Sequence, residues 1–322
     1  MDRKKKEFFE QKAPLLCELY YWFKDLKMLK RRLQNQKAFK KMTDDEMKQW
    51  VAGLYYKYQH EQLDWENLRT WSQKIQWVKL YDKDPRKTIC ADKYAVRDWV
   101  KDKIGEEYLI PLLGVWDKYS DIDFEKLPEK FVIKTNHGAG EAVIVRNKSE
   151  MKLADKLKMR RKIEISMATD YCCKSGEMHY KDIPHKIIAE ELIEFNDRDL
   201  PDYKFICFDG VPYIVWIDID RFSDHRRNIY DMNWVLQRWN QKEFVNTDYE
   251  IEKPENFDKM VEIVKVLSEG FSHVRVDLYN VNGKIYFGEM TFTSGSGFAK
   301  ITSHSADEML GELWKLDMKK TG

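Results

Sequence analysis

The sequence contains little that would carry it into or through a membrane. None of its apolar runs approaches the roughly 20 residues that a transmembrane helix needs. Its opening, Met1-Asp2-Arg3-Lys4-Lys5-Lys6, leads into more charge and not into the apolar stretch of a signal peptide. Cys-x-x-Cys pairs are absent as well. The five cysteines (Cys17, Cys90, Cys172, Cys173, Cys207) are an odd number, and the adjacent Cys172 and Cys173 suit neither ordinary disulfide geometry nor a zinc knuckle. These shortages point away from secretion and towards a cytoplasmic protein with reduced thiols. The seven histidines show no metal-ligand spacing, and no internal repeat or low-complexity tract stands out.

An aromatic content of 14% argues against disorder, and 322 residues leave room for two or three lobes around a sizeable core. The net charge of +1 hides an asymmetry. Residues 1–41 carry 13 Lys/Arg against 5 Asp/Glu, a balance of +8, whereas the remainder carries 43 against 50, a balance of −7. A basic opening on an acidic body suits an anionic surface such as membrane headgroups or a polyanionic polymer. No nucleic-acid-binding motif accompanies the charge, so no nucleic-acid partner is expected. Within this segment Leu15, Leu19, Trp22, Leu26 and Leu29 recur at helical spacing, with Lys24 and Lys27 between them. Two settings suit such a helix: docking on the body with its cations solvated, or peripheral attachment at the inner face of the membrane.

Helical patterns continue from Asp44 to about Leu80, where Trp50, Trp65, Trp71 and Trp77 are expected to pack a small helical lobe. Asp92 reads as the N-cap of a helix reaching about Lys103. Beyond Pro128 strand patterns dominate. Phe131–Lys134 and Ala142–Arg146 read as two strands flanking Thr135-Asn136-His137-Gly138-Ala139-Gly140-Glu141. Two glycines let such a loop bring backbone N–H groups onto an anion, and Lys134 could add a charge facing the same phosphate. No Gly-Lys-Ser/Thr follows, and a strand stands where a dinucleotide-binding loop would open a helix. By itself the loop is a hairpin that names no ligand.

The segment 273–297 is more specific. His273–Tyr279 alternates as a half-buried strand, Asn282-Gly283 signals a hairpin turn, and Ile285–Thr291 returns. Alternation puts Arg275 and Asp277 on one face of the first strand, and Glu289 and Thr291 on one face of the second. A two-residue turn pairs Asp277 with Gly288 and sends Glu289 to the opposite face. A three-residue loop, or a bulge, brings the carboxylates together. Given that register, the pair suits Mg²⁺ whose remaining ligands are phosphate oxygens, with Arg275 neutralising a phosphoryl group. Thr293-Ser294-Gly295-Ser296-Gly297 follows as a second flexible, anion-friendly loop.

These blocks resemble the TupA-like ATP-grasp proteins from about Trp71 to Phe298. The matching segments are Ala91–Arg97, Phe131–Gly140, Ile187–Leu192, Asp202–Phe205 and Val274–Gly297. The resemblance implies an α+β ATP-grasp fold over residues 81–322, two lobes clasping ATP with a hinge near 188–194, behind a helical region over residues 1–80. It implies an ATP-dependent ligase that phosphorylates a carboxylate and lets an amine attack the acyl phosphate. Lys93 and Lys134 would contact phosphates, with Asn136, His137, Gly138 and Gly140 closing over them. Glu190, Glu191 and Leu192 would flank adenine, and Asp202 and Lys204 would sit near the ribose. Asp277 and Glu289 would hold Mg²⁺, with Thr291 standing where many relatives place a stronger Asn ligand. Arg275 would stabilise the transferring phosphoryl.

The family's association with bacterial cell-surface polymers implies an anionic sugar or polysaccharide precursor and a small amine or amino acid as partners. The amide would form on a uronic-acid or glutamyl carboxylate. Arg221, His225, Arg226, Arg227 and Asn228, with Ser294 and Ser296, are candidates for holding that substrate. Residues 1–41 could meet a membrane or a polysaccharide-synthesis complex. Two rivals stand beside this reading. Asp218-Ile219-Asp220 and Asp121-Ile122-Asp123 are D-x-D patterns of the kind that bind metal and nucleotide sugar in glycosyltransferases. A non-catalytic ATP-binding scaffold is the other.

Overall fold

The computed structural model describes residues 12–140, 142–195, 200–221 and 223–318. The basic tract at 3–6 and Glu141 of the glycine loop lie outside the described residues. The chain forms two compact units. The first comprises Met1–Met42, Pro111–Lys174 and Ile183–Leu192; the second comprises Thr43–Ile110, Ser175–Asp182 and Ile193–Gly322. The helical opening is therefore shared between units, where the sequence suggested one region ending at residue 80.

In the first unit four antiparallel strands, β1 (Leu112–Trp116), β2 (Phe131–Thr135), β3 (Val143–Val145) and β4 (Ile187–Glu191), stand in the order β1-β4-β2-β3. Helices α1 (Pro14–Phe39) and α6 (Leu153–Met167) belong to the same unit. Alternation along β2 buries Phe131, Ile133 and Thr135. The two apolar side chains pack with Ile187 and Ala189 of β4 and with Met159 and Ile163 of α6.

The second unit holds five antiparallel strands: β5 (Asp202–Phe208), β6 (Val211–Ile219), β7 (Arg226–Asp231), β8 (His273–Val281) and β9 (Lys284–Thr291). Their order is β7-β6-β5-β8-β9. Around them lie α2 (Asp44–Gln59), α3 (Trp71–Tyr81), α4 (Pro85–Ala91), α5 (Val96–Ile104), α7 (Phe257–Ser268) and α8 (His304–Leu313). Thr43 with Glu46, and Thr70 with Gln73, form capping boxes that start α2 and α3.

The expected helical lobe does not stand apart. Trp71, Ile75 and Val78, spaced to share one face of α3, pack against Ile206, Ile214, Trp216 and Ile229 of the sheet and against Leu310 and Trp314 at the chain's end. Trp71 meets Trp216 edge to face at 5.9 Å. Its indole N–H donates to His273 Nε2 at 3.1 Å. The opposite sheet face lies under α7, where Phe257 stacks on Phe205. One face of this sheet is thus apolar beneath α3 and α8, and then turns polar towards Asp202 and Asp277.

Candidate active site

The polar end is built by strand register. Lys204 of β5 pairs with Asp277 of β8, Asp202 with Tyr279 on one side and Asp218 of β6 on the other. The β8–β9 hairpin resolves the ambiguity left by the sequence. Its turn has two residues, Val281 pairing with Lys284, and both Asn282 (φ 51°) and Gly283 (φ 85°) take the left-handed backbone of a type I′ turn. That turn alone would set Asp277 opposite Gly288. A bulge between Asp277 and Leu278 shifts the ladder by one, so Asp277 faces Glu289 and Arg275 faces Thr291. Gly288 is the extra residue. A Cβ there would stand 3.0 Å from the Asp277 carbonyl oxygen.

Two cations, buried Lys204 and largely buried Arg275, then tie the acids together. Arg275 donates to both Asp277 oxygens at 2.6 Å, to Glu289 Oε1 at 2.7 Å and to Ser294 Oγ at 2.9 Å. Lys204 Nζ donates to Asp277 Oδ2 at 2.7 Å and also to Asp202 Oδ2. Thr291 Oγ1 donates to Glu289 Oε1 at 3.2 Å. Burial would raise the Glu289 carboxyl, but Arg275, Lys93, Lys204 and Arg221 hold it well below the usual carboxylate range. Burial likewise works against charge on Arg275, and Asp277, Glu289 and Asp202 outweigh it. Asp202 goes the other way. Burial and the nearby Asp277 raise its pKa against the pull of Lys204 and Arg221, and its Oδ1 is buried without a hydrogen-bond partner.

Lys93 reaches this field from a turn. Asp92 accepts from the Tyr94 N–H at 2.8 Å and the Ala95 N–H at 3.2 Å, so it caps the turn carrying Lys93, and α5 begins only at Val96.

Other candidates are placed differently. Arg227 and Asn228 are buried in β7. Arg227 grips both oxygens of Asp218, one at 2.7 Å, and lies 3.9 Å from the Phe244 ring centroid, while Asn228 holds Thr247. Arg226 pairs with Asp224, and Arg221 Nη1 lies 3.3 Å from Asp202 Oδ2. His225 Nε2 stands 3.6 Å from Asp218 Oδ2. Asp218 is therefore a buried carboxylate engaged by its own strand neighbour, not a solvated one. Asp220 lies past the strand end in left-handed backbone (φ 52°). Asp121 and Asp123 sit at short 3₁₀ turns.

The loop after β9 is pinned where flexibility was expected. Thr293 and Ser296 both donate to Glu177, the latter at 2.7 Å. The Ser296 carbonyl accepts from Lys79 and Gln76, each at 3.1 Å. Burial pulls the Lys79 ammonium down to about 7 against the opposing charge of Glu177. Neither Glu177 nor Lys79 carries a signal in the sequence, because each meets the loop from a distant segment. The hydroxyls of Ser294 and Ser296 are engaged with Arg275 and Glu177.

In the first unit Lys134 of β2 reaches Glu190 of β4 at 2.5 Å. Glu190 is buried and Glu191 exposed; Leu192 ends this unit's last segment. Asn136 anchors the glycine loop by accepting from the Lys186 N–H at 2.7 Å and donating to the Pro184 carbonyl at 2.9 Å. His137 is buried, stacked on His185 with ring centroids 3.5 Å apart. Tyr171 lies against Gly138, while Gly140 (φ 84°) has open space around it. The loop's base is thus fastened and its glycine tip exposed.

A family model described as TupA-like ATPgrasp matches residues 73–315. The chain belongs to the TupA-like ATP-grasp family. Its five-stranded sheet, with Arg275, Asp277 and Glu289, lies within the matched residues. No curated protein is significantly similar to the chain. Among solved structures, the ATP complex of D-alanine–D-alanine ligase from Bacillus anthracis is similar at 18% identity, covering 63% of this chain and 53% of that one, with a TM-score of 0.35. The D-alanine–D-alanine ligase from Helicobacter pylori is similar at 13% identity, covering 71% and 62%, with a TM-score of 0.36. The ATP-grasp ligase PsnB in complex with a precursor variant, Mg and ADP is similar at 14% identity, covering 72% and 61%, with a TM-score of 0.37. The chain spans between about half and three-fifths of the length of these structures.

The donor set of this ATP-grasp chain suits a hard divalent cation in part. Glu289 keeps 35% of its side chain exposed and stands opposite Asp277, which gives carboxylate oxygens on adjacent strands. No group of three or more His, Cys, Asp or Glu able to hold a metal occurs among the described residues. Magnesium bound largely by phosphate oxygens needs only one or two carboxylates. Asp277, however, has both oxygens engaged by Arg275 and Lys204, so a cation there would replace part of the Arg275 contact.

Proposed function

We propose that this chain is an ATP-dependent carboxylate–amine ligase acting on a uronic-acid or glutamyl carboxylate of a bacterial capsule or cell-surface polymer precursor, with a small amine or amino acid as the second substrate. One observation carries the reading: Asp277 and Glu289 face each other beside Arg275 and Lys204 within the family-matched residues. The γ-phosphoryl of ATP passes to a carboxylate oxygen, the bond to the β–γ bridging oxygen breaks, and ADP leaves. An amine nitrogen then attacks the acyl carbon, loses a proton and expels phosphate, leaving the amide.

Catalysis of this kind rests on positioning and on charge stabilisation. Arg275 stays charged at any working pH and stabilises the moving phosphoryl. Lys93 and Lys134 contact phosphates, and the loop from Asn136 to Gly140 closes over them. Glu190, Glu191 and Leu192 take adenine, and Asp202 and Lys204 lie towards the ribose. Glu289 and Asp277, with Thr291 alongside, would hold Mg²⁺, which would supply charge that neutralises phosphate oxygens. Arg221 and Arg226, which unlike Arg227 are not buried, are the arginines of the basic cluster that would meet an anionic sugar. The protein works in the cytoplasm, where ATP is supplied.

A thermal-shift comparison tests the site. Mg²⁺ with a non-hydrolysable ATP analogue at about 100 times its Kd should stabilise the fold by about 2.7 kcal/mol, and Glu289→Gln should remove most of that gain. A screen of uronic acids and amines for ADP release then identifies the substrates. Stabilisation by Mn²⁺ with UDP-sugars alone would overturn the ligase in favour of a glycosyltransferase, and ATP binding without turnover on any acceptor would favour the scaffold.

A further inference from the structure

Helix α1 is docked by the wrong face for its apolar residues to be core. Its contact with α6 is polar: Arg161 Nη2 pairs with Glu18 at 3.1 Å, Arg161 also binds Asp25, and its guanidinium covers Tyr21 at 5.5 Å. Further along, Gln36 donates to Asp170 at 2.6 Å and Phe39 is buried. On the far side Leu15, Leu16, Leu19, Tyr20, Phe23 and Leu26 are exposed, Leu16 and Phe23 by 68% and 67%. At 3.6 residues per turn these six fall within an arc of about 140° facing away from Glu18 and Asp25.

Charge is segregated on the same helix. Its only acids, Glu18 and Asp25, both lie on the docked face and both are bound to Arg161. Lys24, Lys27, Lys30, Arg31 and Lys37 are exposed. The outward surface is apolar over its first half and cationic over its second, with no anion. We infer that α1 is an interfacial anchor whose occupant is an anionic lipid surface. The apolar half is about 16 Å long, far short of the roughly 30 Å hydrocarbon core, so it lies in the interface plane. No described helix is long and apolar enough to cross a membrane. A second copy of the chain fits this face poorly. Parallel pairing stacks cations on cations, and antiparallel pairing sets the apolar half on the cationic half. The inference stands apart from the ligase reading.

Flotation of the full chain with phosphatidylcholine vesicles, with and without phosphatidylglycerol, tests it. Association is expected only with phosphatidylglycerol, and each cation removed, as in Lys27→Gln or Lys30→Gln, should weaken it roughly fivefold. Leu16→Glu/Phe23→Glu should abolish flotation while the melting transition and its response to an ATP analogue stay unchanged, whatever that response is. Equal flotation with neutral vesicles, no flotation with anionic ones, or flotation that survives the double substitution would overturn the anchor. Lipid-free self-association abolished by the same substitutions would also overturn it, in favour of a protein partner.

Discussion

The two sheets present their candidate ligand-binding groups in contrasting ways. In the five-stranded sheet of the second unit, Lys204, Asp202, Asp277, Arg275 and Glu289 hold one another through buried and part-buried pairs before any substrate arrives. In the four-stranded sheet of the first unit, Lys134 has a carboxylate partner in Glu190, and the glycine loop is fastened at Asn136 but open at Gly140. The first arrangement is electrostatic and preorganised; the second is conformational. A charge is best kept ready on a rigid sheet, because reorienting dipoles during a reaction costs energy, whereas a cover for phosphates has to move.

This comparison can be broken. Lys204→Met leaves Asp202 and Asp277 without their shared cation and should cost about 3–5 kcal/mol of stability, together with activity. Lys134→Met should cost only about 1–2 kcal/mol. Equal losses in urea denaturation would erase the distinction. Next in size is Glu289→Gln, for which we expect a rate of ADP release lower by about 10²–10³-fold.

Acid should sharpen the contrast. Buried His179 and His273 have pKa values lowered to about 4 and about 3, first by burial. Both belong to the second unit. Their unfolded forms take up protons first, so stability is full above about pH 6.5 and falls below it by about 1.4 kcal/mol per pH unit for each histidine. Hydrogen exchange should therefore show β5–β9 losing protection on acidification before β1–β4; the reverse order would refute it. The smallest effect is expected from Gly140→Ala. Its left-handed backbone should cost about 1 kcal/mol, independent of salt, with KM for ATP raised more than kcat falls.

Local signals in the sequence marked the strands around both loops, the Asn282-Gly283 turn and the residues of the carboxylate pair, because each rests on alternation or on a turn preference. The facing of that pair was not legible. It depends on a bulge at Gly288 that no local preference announces, since this glycine is needed for close approach to Asp277 and not for an unusual φ. Leu15, Leu19 and Leu26 carried the right period for α1 but left open which side is docked, because Arg161, more than 120 residues on, decides which side is covered. Glu177 and Lys79 were silent for the same reason.

The core of the second unit joins the two ends of its sequence: Ser72 holds Asp307 from 235 residues away, and Trp71 lies in one cluster with Leu310 and Trp314. On a ribosome working at about 5–20 residues per second, the indoles, Ile75 and Val78 of α3 wait roughly 10–50 s for the helix that covers them. During that interval the nascent chain shows an apolar surface with no partner yet made, and the synthesis of α8 is the step that ends the exposure.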